Sequence, residues 1–280
     1  MNKKILFFIL SVMVFAVCYP VIFLLTGSFM GNEELMEYIS PVLSTTGEGF
    51  AKWTLLPDKF SIESYKELLL YQPGFFVLFW NSVKICIGVL AGQFLVSVPA
   101  AWAFARYRTK GIKLLFGLYV TFMLMPFQVL MLSEYLVFSK MNLLNTLGAI
   151  ILPGIFATFP VFIIYNYFRS IPESVIEAGR TDGAGEFQIM MHIGIPEGLP
   201  GIAAAMILQF LEYWNIIEQP MIFLDSSEKW PLSLYLPNID LTNAGIAMAA
   251  SVITLLPSYL IFRLGQEYLE GGISSLSAKN

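Results

Sequence analysis

The chain has 280 residues, of which 57% are hydrophobic and 13% charged, and its mean hydropathy is +0.70. A water-soluble domain could not bury so many apolar side chains, so the composition indicates a membrane protein. The net charge of -4 and the scattered basic residues exclude a nucleic-acid-binding protein, which would carry a clustered basic surface. The two cysteines and the single histidine, His192, have no metal-ligand spacing, so no metal site is predicted.

Six apolar stretches are long enough to cross a bilayer, at roughly 20 residues for each helix. The first lies within residues 1–30, where an uncharged run follows Lys3 and Lys4 and is longer than the apolar region of a signal peptide. The others are predicted at 75–105, 114–138, 147–168, 199–224 and 244–262. The polar residues 31–72 are predicted to form an extracytoplasmic loop with a short helix at 61–70. The fold class is therefore an all-α membrane protein with six transmembrane helices.

The distribution of Lys and Arg gives the orientation of these spans. The densest basic cluster, Arg106 to Lys113, lies on a short connection that the positive-inside rule places in the cytoplasm. This assignment puts ten basic residues inside and five outside, with Lys84 in a helix. Both termini and the loop at 170–201 then lie on the cytoplasmic side, and residues 266–280 form a cytoplasmic tail.

Residues 170–201, here called the signature loop, carry charge, helix caps and helical periodicity together. Ser170 and Glu173 have the spacing of a capping box, and Pro172 suits a first turn, so a helix is predicted from here to the turn at Gly183. It would place Glu173, Glu177 and Arg180 along one side. A helix lying on the bilayer surface is the alternative, but it would favour a basic polar face.

A second short helix is predicted from residue 186 to 195. It would place Phe187, Met190, Met191 and Gly194 on one face. Pro196 and Pro200 are expected to interrupt it.

The spacing of the loop resembles a known signature. Glu177, Ala178 and Gly179 are followed by Gly183 after three residues, and by Ile193 and then Ile195-Pro196 after nine more. This resembles E-A-A-x(3)-G-x(9)-I-x-L-P, the EAA signature of the membrane subunits of binding-protein-dependent ABC importers, with Gly179 and Ile195 as the departures. The resemblance implies the type I ABC importer permease fold, with a cytoplasmic coupling helix that docks into a separate ATPase. The residues implied in this coupling are Glu177, Ala178, Gly179, Arg180, Asp182, Gly183, Ile193 and Pro196.

Three further segments are similar to the carbohydrate, or maltose-type, group of this family. They are the connection 139–146, with Asn142 in place of a glycine, the Trp214-Asn215 pair followed by Pro220, and more loosely the tail at 266–276. The group implies a second homologous permease, two cytoplasmic ATPases that bind ATP and Mg, and an extracytoplasmic solute-binding protein. It also implies a bacterial cytoplasmic membrane. This chain has no Walker-type phosphate-binding sequence and is predicted not to be an enzyme.

The predicted fifth span contains two acids, Glu212 and Glu218, near its centre. Ionisable groups at bilayer depth are costly and are functional candidates by default, although a helix contact would also explain them. Aromatic neighbours could stack on a sugar or simply pack. The candidate translocation residues are Glu212, Tyr213, Trp214, Asn215, Glu218 and Gln128.

Two alternatives to sugar import stay open. One is an ABC permease for another solute, such as a polyamine, a phosphate ester or an amino acid. The other is a stand-alone secondary transporter, which would show inverted repeats and ion-coupling charges within broken helices.

Overall fold

The computed structural model describes residues 3–43, 56–107, 109–235 and 243–277, and the regular elements within these ranges are all helical. Five helical segments are long and apolar enough to cross a membrane, and two of them, Gly148–Ser170 and Glu186–Trp214, each combine two consecutive helices. A bent helix pair makes a sixth span if it is counted as one. The predicted all-α class is confirmed. The first six helices are α1 (Lys3–Gly27), α2 (Asn32–Leu43), α3 (Glu63–Lys66, extended by a π turn at Glu67–Tyr71), α4 (Pro73–Arg106), α5 (Lys110–Met123) and α6 (Phe127–Lys140).

The remaining helices include the signature loop. They are α7 (Gly148–Ile155), α8 (Thr158–Ser170), α9 (Glu173–Thr181), α10 (Glu186–Ile189, followed by a π turn at Met190–Gly194), α11 (Ile195–Trp214), α12 (Glu218–Phe223) and α13 (Ala244–Ser277). Helix α13 continues through most of the predicted tail, and α2 is a helix that the sequence analysis did not predict.

The predicted third span is not one helix. Helices α5 and α6 meet at an angle of 99°. Pro126 occupies the N-cap position of α6 in an extended conformation, with ψ at 147°. Because proline has no N–H and disfavours helical geometry in the residue before it, the helix ends and restarts here.

The chain forms two compact units, of which the first comprises Met1–Val77 and Leu234–Pro257. Its small core is built on Met30, Leu35 and Tyr38, against which Met248 packs. The Tyr38 hydroxyl donates a hydrogen bond of 2.9 Å to Asp58, which ties α2 to the segment before α3.

The second unit comprises Leu78–Ser233 and Ser258–Asn280 and contains the signature loop. Its core is a close packing of α8 against α11. At Gly198 a Cβ atom would lie 2.5 Å from the Phe168 ring, and at Gly201 it would lie 2.2 Å from the ring of Tyr167. The absence of side chains at these glycines therefore lets the two helices approach closely.

Gly88 and Gly92 of α4 form a G-x(3)-G pair that serves packing. A Cβ at Gly88 would lie 3.1 Å from the Ile151 side chain, and a Cβ at Gly92 would lie 2.3 Å from that of Ile155. Both isoleucines belong to α7, so the glycines define where α7 meets α4.

The connection between α6 and α7 depends on two asparagines in left-handed conformation. Asn142 has φ of 54° and Asn145 has φ of 57°. Asparagine and glycine tolerate this region best, which explains how Asn142 replaces the glycine of the related connection. Asn145 donates to the Ser226 hydroxyl at 2.9 Å, accepts from the Ser226 N–H at 3.1 Å, and accepts from Lys229 at its carbonyl at 2.7 Å.

We expect Asn145→Ala to destabilise the second unit. The change removes both side-chain hydrogen bonds to Ser226 and places a residue that disfavours positive φ at this position, at a combined cost of about 2 to 4 kcal/mol. A lower melting temperature of the detergent-solubilised protein would show this. Asn145→Gly removes the same bonds without backbone strain and should fall between alanine and the wild type. Equal melting temperatures for alanine and the wild type would contradict the prediction.

Candidate functional site

Helix α9 begins without the capping box that the sequence predicted. Ser170 is the last residue of α8, and its hydroxyl donates back to the Tyr167 carbonyl at 2.7 Å. Pro172 precedes the helix at its N-cap position, so no side chain caps the first turn. The prediction failed because a serine that is still helical bonds to the preceding turn of its own helix.

The end of α9 is a glycine turn, as predicted. Gly183 has φ of +85°, its N–H donates to the Arg180 carbonyl at 3.0 Å, and the Ala184 N–H donates to the Gly179 carbonyl at 3.0 Å. These two bonds and the left-handed glycine form a Schellman motif. The signature glycine is therefore required by the backbone turn that ends the helix.

Two signature positions of the loop touch each other. On the buried side of α9, Ile176 is fully buried. A Cβ at Gly179 would lie 3.1 Å from the Ile193 side chain and 3.4 Å from that of Ile189. Alanine, the usual residue of the signature, would require the Ile193 side chain to move by a few tenths of an ångström, whereas a larger side chain would push α9 away from this surface.

Charged side chains join α9 to the first residue of α10. Arg180 contacts Glu186 at 2.8 Å and Glu173 at 3.6 Å. Its hydrogen bond to Glu186, assisted by the charges of Glu186, Glu173 and Glu177, raises the pKa of the Arg180 guanidinium. The exposed acidic face of α9 is thus partly neutralised from within the loop, while Glu177 remains exposed with no ion pair among the described residues.

Arg106, at the end of α4, is the residue of this site that the sequence analysis missed. Its side chain is 2% exposed, donates to the Phe168 carbonyl at 2.7 Å and lies 3.6 Å from Glu173. Its guanidinium carbon also lies 4.9 Å from the centroid of the Trp102 ring. In the sequence, Arg106 belongs to the basic cluster that indicates the topology, and nothing separates it from the other basic residues of that cluster.

The second half of the loop is continuous with α11, so the predicted interruption at the two prolines was wrong. Pro196 and Pro200 do not interrupt the helix, which runs from Glu186 to Trp214. A π turn at Met190–Gly194 lies just before Pro196, so the backbone hydrogen bonds already depart from the regular α-helical pattern where the proline enters. The missing N–H of Pro196 therefore costs less than it would inside a regular helix.

The residues predicted to share one face of α10 are divided between two faces. Met190 and Gly194 are buried, and a Cβ at Gly194 would lie 2.4 Å from the Trp102 ring. Phe187 is 67% exposed and Met191 is 40% exposed. The π turn changes the helical register, so a periodicity of 3.6 assigned these faces wrongly. Glu177 and Val175 of α9 are exposed as well, so the exposed residues of the loop are both apolar and acidic.

The acids of the predicted fifth span do not lie near the centre of a helix. Helix α11 ends at Trp214, so Glu212 lies in its last turn and Glu218 begins α12. The amide of Asn215 donates to the Leu211 carbonyl at 2.8 Å across this break. Ending the helix frees backbone polar groups, which require partners in a membrane.

Both acids accept hydrogen bonds from glutamines. Gln128 contacts the two carboxylate oxygens of Glu218 at 3.0 and 2.9 Å. Gln209 donates to Glu212 at 2.8 Å and accepts from Gln93 at 2.7 Å, and Gln93 also donates to the Gly154 carbonyl at 2.8 Å. Sequence reasoning did not include Gln93, although an amide in the middle of an apolar span was a signal that could have identified it.

The two aromatic candidates of this region are packing residues. Tyr213 is buried, and its hydroxyl oxygen packs against Gly154, where a Cβ atom would lie 2.8 Å from it. Trp214 is 2% exposed and stacks on Phe210 with ring centroids 5.5 Å apart. Neither ring is free to stack on a sugar in this conformation. The exposed candidates are Gln128, Glu212, Asn215 and Glu218.

The family described as binding-protein-dependent transport system inner membrane component matches residues 93–275, which include the whole signature loop. The chain belongs to this family. The permease is thus a multi-pass membrane protein, in agreement with its apolar helices.

Relatives and solved structures extend the match to most of the permease. It is 33% identical over 264 residues to the arabinooligosaccharides transport system permease protein AraQ of Halalkalibacterium halodurans, covering 93% of this chain and 90% of the relative. It is 28% identical to the lactose transport system permease protein LacG of Rhizobium radiobacter, covering 71% and 75% of the two chains. A crystal structure of a bacterial ABC transporter that imports the acidic polysaccharide alginate superposes with a TM-score of 0.79 at 23% identity, covering 96% and 98%. The last comparison confirms the fold.

Proposed function

We propose that this chain forms half of the translocation pathway of an ATP-driven sugar or oligosaccharide importer and couples it to a separate ATPase through α9. The observation that carries the proposal is the signature loop itself. Its spaced residues form a short helix with one face fixed to the transmembrane core and the opposite face exposed.

The contacts of α9 make it suited to transmit movement. Ile176 and Gly179 fix it against Ile189 and Ile193, which precede α11 on the same continuous helix. On its other side, Glu173 meets the buried Arg106 at the end of α4. A displacement of α9 would therefore move two membrane helices, because packed interiors transmit strain rather than absorb it.

The exposed face of the loop suits a protein partner better than lipid. Its exposed residues include the carboxylates of Glu177 and Asp182 and the apolar Val175, Phe187 and Met191. A helix on an anionic bilayer surface would favour Lys and Arg on its polar face. We assign this face to the docking of one cytoplasmic ATPase subunit. A second homologous permease would dock a second ATPase subunit in the same way, and the two ATPase subunits would bind ATP and Mg.

The names of the relatives support a carbohydrate as the solute, since those of the two described above specify arabinooligosaccharides and lactose. The family description supports an extracytoplasmic solute-binding protein as the donor. It also favours an importer subunit over a stand-alone secondary transporter. We place the solute path beside the exposed polar residues Gln128, Glu212, Asn215 and Glu218. Uptake assays with neutral oligosaccharides, polyamines and amino acids would distinguish the solute classes.

We propose that the protein lies in the bacterial cytoplasmic membrane with both termini in the cytoplasm. The support is the basic cluster after α4 and the acidic face of the signature loop, which must lie on the side of the ATPase. Labelling of single cysteines introduced at Glu177 and at Asp58 would test it, because only Asp58 should react with an impermeant reagent added to intact cells.

We expect Glu177→Ala to weaken docking of the ATPase. Truncating one member of a desolvated charged contact typically costs about 2 to 5 kcal/mol, which corresponds to at least about 30-fold in affinity. Co-purification of the ATPase and its titration onto the solubilised permease would measure this.

Glu197→Ala is the matched control, since Glu197 is an exposed acid of α11 that is not one of the positions of the EAA signature. It should leave docking unchanged. Equal ATPase binding by the wild type and Glu177→Ala would refute the coupling role of this carboxylate. A wild-type protein that retains no ATPase under conditions that preserve the complex would refute the proposed function as a whole.

A further inference from the structure

A pocket of about 410 Å³ opens in the second unit, and none of its lining residues belongs to the signature loop or to α11 and α12. It lies where three membrane helices end, at the last turns of α4 and α8 and the first turn of α5. Its size falls within the range of small-molecule sites. The lining residues are Phe104, Ala105, Tyr107, Lys113, Tyr165 and Arg169.

The pocket is cationic. Lys113 and Arg169 line it, and no carboxylate does. In the part of the chain that the structure describes, neither cation has a carboxylate within ion-pair distance. The Arg169 guanidinium donates to the Tyr165 hydroxyl at 3.2 Å, which orients one edge of the guanidinium and leaves its other N–H groups available. Two cations that converge on one pocket without an acid favour an anionic ligand.

Three of the other four lining residues are aromatic, namely Phe104, Tyr107 and Tyr165, and further rings pack behind them. Phe104 packs on Phe116 and Tyr119 with ring centroids 5.3 and 5.7 Å apart, and Phe116 packs on Tyr165 at 4.1 Å. Aromatic side chains of this kind concentrate where a membrane helix reaches the headgroup region. The pocket thus has an apolar wall beside a charged rim, which suits a ligand with an apolar part and an anionic part.

The position of the pocket along the helices agrees with this chemistry. Arg106 ends α4, Thr109 caps α5 through its hydroxyl, and Arg169 lies in the last turn of α8. The ends of three apolar helices that meet around one pocket indicate the boundary between hydrocarbon and water. The basic cluster assigns this boundary to the cytoplasmic leaflet, where basic pockets between membrane helices bind anionic headgroups.

We propose that this pocket binds the phosphate of an anionic phospholipid, with Lys113 and Arg169 on the phosphate and the aromatic wall along the glycerol and upper acyl chain. The shared chemistry is a phosphate group, and a free phosphate ion would use the same cations. The aromatic wall favours the lipid, because an inorganic ion would leave it unused. The proposal is independent of the solute that the permease carries.

The test is native mass spectrometry of the full chain, extracted in mild detergent with the subunits it retains. Phosphatidylglycerol, phosphatidylcholine and inorganic phosphate are each titrated onto the wild type and onto a Lys113→Gln, Arg169→Gln double variant. Each cation near an anionic headgroup contributes about a fivefold factor, so we expect the double variant to bind phosphatidylglycerol about 30-fold more weakly. Phosphatidylcholine, which has no net charge, should bind the wild type weakly, and high salt should weaken phosphatidylglycerol binding.

The matched control is a Lys110→Gln, Arg263→Gln double variant. It removes the same two charges from exposed residues that do not line the pocket, and it should bind phosphatidylglycerol as the wild type does. If the first double variant does not fold, Lys113→Gln alone serves, since this exposed side chain is in no hydrogen bond or ion pair of the described structure, and we expect about a fivefold loss.

Three results would overturn the proposal. Equal phosphatidylglycerol binding by the wild type and the pocket variants would show that the lipid does not bind in this pocket. Equal binding of inorganic phosphate and phosphatidylglycerol would make it a soluble-anion site. Exclusion of phosphatidylglycerol by a bound ATPase would assign the two cations to a protein contact instead.

Discussion

Gly183→Leu is expected to abolish transport while the protein remains in the membrane. Gly183 has φ of +85°, and an L-residue in this left-handed region costs about 1 to 2 kcal/mol. No atom lies within 4 Å of a Cβ built there, so the effect is one of backbone conformation and of the new exposed side chain, without a clash in the core. Both bonds of the Schellman motif would be strained, and α9 would lose its defined end. Solute uptake measured at matched membrane expression would check this.

Gly183→Asn is the control for this change. Asparagine accepts positive φ more readily than leucine and keeps the surface polar, so we expect it to retain much of the uptake. ATP hydrolysis by the assembled transporter provides a second readout, since a displaced α9 should separate hydrolysis from transport. Normal uptake by Gly183→Leu at normal expression would contradict a role for the turn in coupling.

Arg106→Gln is expected to destabilise the attachment of the signature loop by about 2 to 4 kcal/mol. A hydrogen bond from a charged donor such as that to the Phe168 carbonyl contributes about 1.5 to 3 kcal/mol, and the cation over Trp102 adds about 1 kcal/mol. The 3.6 Å contact with Glu173 adds less, because that carboxylate is 44% exposed and screened by solvent. A lower melting temperature and reduced uptake should occur together.

Two further variants separate charge from geometry at this site. Arg106→Lys keeps the charge but has no planar guanidinium to stack on Trp102 while reaching the Phe168 carbonyl, so it should restore only part of the stability. Lys110→Gln removes a nearby exposed cation and should leave the melting temperature unchanged. A melting temperature of Arg106→Gln equal to that of the wild type would show that the buried guanidinium does not anchor the loop.

Patterns that depend on neighbouring residues were predicted well. The apolar spans at α1, α4 and α13 follow from hydropathy, because a membrane-spanning helix satisfies its own backbone and needs only length and apolarity. The turn at Gly183 was predicted from a glycine at a helix end. Each of these features is determined by a local sequence.

Predictions failed where a helix deviates from regular geometry. The sequence did not show that the chain would bend by 99° at Pro126 yet run straight into α11 past Pro196. Proline removes one hydrogen bond in either case, and whether the helix breaks or continues depends on the neighbouring turn. The faces of Phe187 and Met191 were wrongly predicted for the same reason, since a single π turn shifts the helical register and leaves both residues exposed.

The sequence by itself determined the membrane class, the family and the positions of the signature residues, since these are encoded in composition and in the spacing of residues along one segment. Only the tertiary structure showed that Arg106 supports α9, that Gln93 joins Gln209 and Glu212, and that Tyr213 and Trp214 are buried. These contacts join residues from different helices. Which of many similar side chains meet is decided by how the helices pack, and no single segment carries that information.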